Sequence, residues 1–236
     1  MLTDDSLTRL SEAVSMCSAC ALGARGKGVP GVTILPEGQT TSDVAVAVSP
    51  DDLVMVLGEA PGAVEQERGK PFVGQSGELL HSMLKECGLT SYYVSNIAKH
   101  QPYKDKHGKQ QAPNKTEIEA CAPFLRAEFE LVRPSHLILL GKTAAKLVVD
   151  GNFSMGKAVN QTYEYEYDHH EIGAGSVILL EAVSTLVLYH PAYFLRQRTA
   201  PWIQKAIREW KMAVKLFLGA KAPMYKIEEV KCELHN

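Results

Sequence analysis

Cys17-x-x-Cys20 is the tightest pairing of soft ligands in the chain, and Cys121 adds a third thiol further along. Two cysteines at this spacing hold a metal through their thiolates, and taken alone they indicate zinc more often than iron. Five cysteines is an odd count, and close spacing without a visible signal peptide suits metal or redox work in a reducing compartment. Cys87, at the end of a predicted helix, and Cys232, near the C-terminus, read as bystanders.

A second set of residues suits recognition and acid–base chemistry. Gly58-Glu59-Ala60-Pro61-Gly62 is a turn whose glycines let backbone N–H groups approach a ligand closely. Glu65-Gln66-Glu67-Arg68 follows, then Lys70-Pro71-Phe72-Val73-Gly74, with no Gly-Lys-Ser/Thr at phosphate-loop spacing. Glu65, with Glu67 as its competitor, offers a carboxylate to orient water or stabilise a cation, whereas Glu59 reads as the organiser of the turn. Asn96 carries a donor and an acceptor on one amide, and His190 an imidazole able to donate to a developing anion. Taken singly, Phe72 reads as core, and Asn96 and His190-Pro191 as turn residues. Lys99, Lys104, Lys106, His107 and Lys109, with Arg196 and Arg198, are suited to phosphates, although such runs are usually solvated loops.

The elements that must position these groups alternate between strand and helix. Leu53–Leu57, Tyr92–Val94, His136–Leu140, Ser176–Leu180 and Thr185–Leu188 are short apolar runs of buried-strand length. Helices are predicted over Leu7–Met16, Gly77–Glu86, Asn114–Val132, Lys142–Val149 and Pro201–Leu218, with Thr116 and Glu119 as a capping box for the third. Gly23–Pro36 is rich in glycine and proline and reads as loop, and Asp43–Val48 alternates weakly, as an extra strand would. Alternation of this kind predicts a mostly parallel sheet with helices on both faces. Ligands bind such sheets at the carboxyl ends of the strands, which is where the 58–62 turn, Asn96 and His190 would converge.

Bulk properties constrain the partners. A chain of 236 residues with 45% hydrophobic and 22% charged residues buries an ordinary globular core. Its net charge of -2 provides no whole-molecule attraction to nucleic acid, so any such binding rests on a local basic patch. No apolar stretch is long enough to span a bilayer, and an intracellular, cytoplasmic setting is expected, with nucleoid association if the source is bacterial.

Five motifs, in order, resemble the iron–sulfur (family 4) uracil-DNA glycosylases: Gly58–Gly62; Gly69–Leu80; Asn96-Ile97-Ala98-Lys99-His100; Cys121–Leu125; and His190–Arg196. The resemblance covers most of Cys17 to Trp210. It implies a three-layer αβα fold around a central, mostly parallel four-stranded sheet. One domain would span residues 1–236, with an insertion at 31–52 and a mobile tail at 219–236. It implies removal of uracil from DNA by a monomeric base-excision repair enzyme, leaving an abasic site. Gly58, Glu59, Ala60, Gly62, Phe72 and Asn96 would bind the extruded base, with Phe72 as stacking platform and Asn96 as reader. Glu65 and His190 would be catalytic, while Lys109, Arg196 and Arg198 would contact DNA, with Tyr193-Phe194-Leu195 as an apolar wedge. Cys17, Cys20, His100 and Cys121 would hold a [4Fe–4S] cluster, although the family has cysteine where this chain has His100.

The Lys99-His100 pair is similar to the UdgX-like branch, which traps uracil-DNA covalently through a histidine on the loop before the last cysteine. Here that position falls on Gln110, a poor nucleophile, with His107 three residues earlier, so ordinary turnover is expected. The alternatives are a non-catalytic or covalent uracil-DNA binder, a glycosylase for another pyrimidine, a three-cysteine site with a labile iron, and a zinc-bound structural domain.

Overall fold

A computed structural model of the chain describes residues 4–36, 53–170 and 178–219. The expected strand at 43–48, most of the expected insertion, the tail beyond Gly219 and Cys232 lie outside the described residues.

Six strands form one sheet: β1 (Val32–Ile34), β2 (Val54–Gly58), β3 (Tyr92–Asn96), β4 (His136–Leu140), β5 (Gln161–His170) and β6 (Ile178–Leu188), in the order β1-β3-β2-β4-β6-β5. The inner four, β3-β2-β4-β6, are parallel, and β1 and β5 flank them antiparallel. The parallel four-stranded sheet is as expected; the flanking strands are additions. β2, β3 and β4 are buried on both faces, which is why Val54–Leu57 and Leu137–Leu140 read as continuous apolar runs.

Alternation still divides the two faces. Val54, Val56, Val94, Ile138, Leu140, Leu186 and Leu188 point to one side, and Met55, Leu57, Tyr93, Leu137, Leu139 and Val187 to the other. The first layer is closed by α3 (Gln75–Glu86), α7 (Pro191–Arg196) and α8 (Ile203–Gly219), through Leu80, Leu84, Phe194, Trp210 and Phe217. On the opposite face α4 (Lys115–Val132) packs Leu125, Phe129 and Val132 against the sheet, with the one-turn α5 (Lys142–Ala145) beside it. The N-terminal α1 (Asp4–Ser15) lies on α4, while α2 (Ala63–Arg68) and the short α6 (Met155–Ala158) occupy connections. The result is three layers.

Several local expectations are corrected. Ser176–Leu180 and Thr185–Leu188 are not two strands; β6 runs unbroken from Ile178 to Leu188. Val32–Ile34, inside the expected 23–36 loop, pairs with β3. The helix expected over 142–149 ends at Ala145. The capping box of α4 is Asn114 with Glu117, not Thr116 with Glu119: the Glu117 N–H donates to Asn114 Oδ1 (3.0 Å) and the Asn114 N–H to Glu117 Oε2 (2.8 Å). Asparagine outcompetes the threonine two positions on because its amide oxygen reaches the third helical N–H.

Lys99 is also corrected. Expected among the DNA-contacting cations, it is fully buried, and its Nζ donates to Glu128 Oε2 (2.7 Å), Ser95 Oγ (2.8 Å) and the Asn96 carbonyl (2.9 Å). Glu128, equally buried on α4, accepts at Oε1 from Ser95 Oγ (2.9 Å), the Gly31 N–H (3.2 Å) and Tyr93 OH (3.3 Å). Every donor of the ammonium is thereby used, as a buried charge requires.

Removing one member leaves an uncompensated charge. Lys99→Met is expected to lower unfolding stability by about 3–5 kcal/mol, measured by urea denaturation. The double replacement Lys99→Met/Glu128→Leu should recover most of that loss.

Candidate active site

Four parallel strands end at one rim, and the register sets which residues meet there. Gly58 on β2 lies beside Asn96 on β3, and Leu140 on β4 beside Leu188 on β6, so Gly141 and His190 leave the sheet together. A cavity of about 390 Å³ opens at this rim, lined by Glu59, Ala60, Pro61, Gly62, Glu65, Phe72, Ser76, Asn96, Gln110, Leu140, Gly141, Lys142, His190, Ala192 and Arg196. That volume suits a small ligand. Phe72, Asn96 and His190, far apart in sequence, face one space.

Their mutual geometry is tight. The Phe72 and His190 rings stack with centroids 5.8 Å apart and planes inclined by 22°. A Cβ on Gly58 would lie 2.5 Å from Asn96 Oδ1 and 2.6 Å from Phe72 Cζ, so amide and ring converge over a position with no room for a side chain. Phe72 has a φ of 53°, a conformation that costs a non-glycine residue about 1–3 kcal/mol. Its carbonyl leans into α3, where a Cβ on Gly77 would stand 1.9 Å from it.

His190 caps α7, its Nδ1 accepting the Ala192 N–H at 3.1 Å. In the neutral ring the remaining proton therefore sits on Nε2. Burial, reinforced by the nearby Arg196 cation, pushes the His190 pKa down to about 4. The imidazole is a neutral donor at ordinary pH.

Glu65 is buried in the first turn of α2, with Oε1 accepting the Gly74 N–H at 2.9 Å. Oε2 lies 2.6 Å from where a Cβ on Gly62 would be, so the carboxylate is wedged between two glycines. Glu67, the competitor, is exposed and does not line the cavity. Glu59 accepts from Thr143 Oγ1 at 2.5 Å, which ties the 58–62 turn to α5 as a loop organiser would.

Of the cations, Arg196 borders the cavity and is exposed, as are Arg198, Lys104, Lys106 and Lys109. His107 is exposed on a turn in which Asp105 Oδ1 accepts the N–H groups of His107 and Lys109 (both 2.9 Å). Gln110 does reach the cavity, its Nε2 donating to the Pro61 carbonyl at 3.2 Å. Tyr193 stacks on Tyr189 at 4.7 Å and Phe194 is core; of the expected wedge Leu195 alone stands 37% exposed.

Of the expected cluster ligands, Cys17 and Cys20 follow α1, His100 follows β3 and Cys121 lies on α4. Cys121 is buried on α4 and its Sγ accepts the Lys99 N–H at 3.3 Å. Burial raises its pKa; Lys99 opposes this, while the neighbouring Cys20 and Cys17 add to the rise, so the three sulfurs are within electrostatic reach. Neither ring nitrogen of His100 makes a well-formed hydrogen bond, although the Cys17 backbone lies near enough to act on the ring. A buried imidazole so placed suits a metal ligand. Among the described residues, no three His, Cys, Asp or Glu side chains stand close enough to share a single ion.

Ser76, Leu140, Gly141, Lys142 and Ala192 line the cavity without having been singled out in the sequence. Gly141 and Lys142 had a readable signal, since they follow a buried parallel strand at its carboxyl end.

A planar apolar ring, an amide and a neutral imidazole thus border one cavity at the parallel-sheet rim of an α/β protein. Residues 46–223 match the Uracil DNA glycosylase superfamily, and the chain belongs to it. A type-4 uracil-DNA glycosylase from Pyrobaculum aerophilum is 30% identical over 194 residues, covering 81% of this chain and 85% of the relative. Those of Thermotoga maritima (30% over 202 residues; 84% and 88%) and Saccharolobus solfataricus (30% over 225 residues; 92% and 88%) are similar over comparable spans.

The His190 pKa sets a pH dependence. Its folded value, about 4, lies below the ordinary 6.5, so between these pH values the unfolded chain binds a proton that the folded chain does not. Stability should fall as pH drops from 6.5 towards 4 and gain no further loss from this group below that; in His190→Gln the fall should be shallower, measured by thermal denaturation across that range.

Proposed function

We propose that this protein is a uracil-DNA glycosylase of the type-4 kind, hydrolysing the N-glycosidic bond of uracil in DNA and leaving an abasic site. The observation that carries the proposal is the convergence of Phe72, Asn96 and His190 on one cavity. The names and extents of the relatives support it.

In this reading uracil is extruded from the stack and lies against Phe72, while the Asn96 amide pairs with the O4 and N3–H edge. Cleavage leaves charge on uracil O2, and the His190 Nε2–H donates to it. A neutral donor with no proton to lose to the leaving base acts by electrostatic stabilisation, worth about 3–4 kcal/mol. Glu65, fixed through Gly74, stabilises the cationic sugar or orients the attacking water. Gly58, Ala60 and Gly62 keep the wall of the pocket thin, and Glu59 holds the turn in place. Lys109, Arg196 and Arg198 neutralise phosphates at the rim, which makes binding salt-sensitive. The enzyme works as a monomer inside the cell.

Cys17, Cys20, His100 and Cys121 would hold a [4Fe–4S] cluster. Supporting this are the burial of His100 and Cys121 and the electrostatic influence of Cys17 and Cys20 on Cys121. Bound there, the cluster would cross-link the N-terminal segment, the exit of β3 and α4.

A duplex and a single strand carrying uracil should both release free uracil; His190→Ala should lower the rate about 10²–10³-fold. Recovery of intact glycosidic bonds with the wild-type chain would leave only the binding reading. Anaerobically purified protein should contain iron and sulfide in equal amounts, retain both in His100→Cys and lose them in Cys121→Ala. Zinc in their place would overturn the cluster. Denaturing gels should show no persistent DNA adduct, since Gln110 occupies the nucleophile's position and His107 faces solvent.

A further inference from the structure

His81 belongs to none of the motifs above, yet its two nitrogens are engaged on either side. Nε2 stands 3.0 Å from the carbonyl oxygen of Phe72, and Nδ1 stands 2.5 Å from the hydroxyl of Tyr92. A carbonyl only accepts, so Nε2 must carry the ring proton; Nδ1 of the neutral ring then accepts from the Tyr92 O–H. Tyr92 is buried on β3, and burial lowers the His81 pKa, which keeps the ring uncharged.

The carbonyl so held is the one that fixes the turn. Phe72 is in the left-handed region, and Gly77 has no side chain because that same oxygen leans into its place. Without a donor, the Phe72 carbonyl loses the contact that offsets the strained backbone, and the ring is free to leave His190.

We infer that His81 is a positioning residue for the stacking platform: its Nε2–H, with Nδ1 satisfied by the Tyr92 hydroxyl, holds Phe72 in the left-handed turn that lays the ring against His190. The inference rests on the proposed reading of the cavity for its catalytic consequence, but the placement of the ring is testable without it.

The first measurement is nuclear magnetic resonance of histidine-labelled wild-type protein, which reads the tautomer directly. His81 should be the Nε2–H form, and the Nδ1–H form would overturn the inference. The second compares His81→Leu, which removes the donor, with His81→Gln, whose amide can replace it. The His190 ring resonances, shifted by the overlying Phe72, should move in His81→Leu and return in His81→Gln. Uracil release should fall about 3- to 10-fold in kcat/KM for leucine, with inhibition by free uracil weakened alike, and recover with glutamine. Should His81→Leu fail to fold, the tautomer read in the wild-type protein keeps the inference falsifiable. Unchanged His190 resonances in a folded His81→Leu protein would overturn the positioning role. A wild-type chain that releases no uracil, yet shows the resonance shifts, would overturn the functional reading alone.

Discussion

One ion pair fixes more of this molecule than its size suggests. Lys99 and Glu128 are sealed from water, where each charge alone would be severely destabilising, so the chain around them must supply hydrogen bonds in a fixed arrangement. Those bonds come from Gly31 before β1, from Tyr93 and Ser95 on β3, and from the Asn96 carbonyl at the strand's end. The Lys99 backbone N–H meets Cys121, and its carbonyl accepts from Val29. The N-terminal segment, the middle of the sheet and α4 are therefore satisfied together or not at all. Asn96 and His100, three residues to one side of Lys99 and one to the other, inherit that rigidity.

The same economy appears in the cavity. The amide, the ring and the imidazole come from three strand exits, and none is placed by its own rotamer alone. Asn96 is set by the register of β3 against β2, Phe72 by a strained turn against α3, and His190 by its cap on α7. The imidazole is kept neutral by burial and by the neighbouring Arg196. A cation at the rim thus opposes protonation of the ring beneath it.

Much of this was legible in the residues. β2 and β4 announced themselves because burial on both faces leaves a nearly unbroken aliphatic run, whereas Glu181 and Ser184 interrupt β6, which therefore read as two strands; the motif residues fell at the carboxyl ends. What was missed has separate physical causes. β5 carried a period-two signal, Tyr163-Glu164-Tyr165-Glu166-Tyr167, with Tyr165 and Tyr167 against Phe129 (5.3 and 4.9 Å), but its polar half masked a strand buried on one side. β1 is three residues long, too short for any pattern. Lys99 looked like a surface cation because nothing local reveals a carboxylate twenty-nine residues away. The residues proposed as cluster ligands were legible as types, whereas their placement depends on how α4 meets the N-terminal segment.

The outermost strand bears on how the molecule keeps company with its own kind. A sheet margin displays unpaired backbone groups, and a second margin laid alongside would extend the ladder. On β5 the residues Glu164 and Glu166 are exposed, so two such margins brought together antiparallel would crowd carboxylates of one sign. Repulsion there disfavours growth of the sheet from molecule to molecule. Among the described residues, the sheet thus ends in a strand whose outward charges are alike.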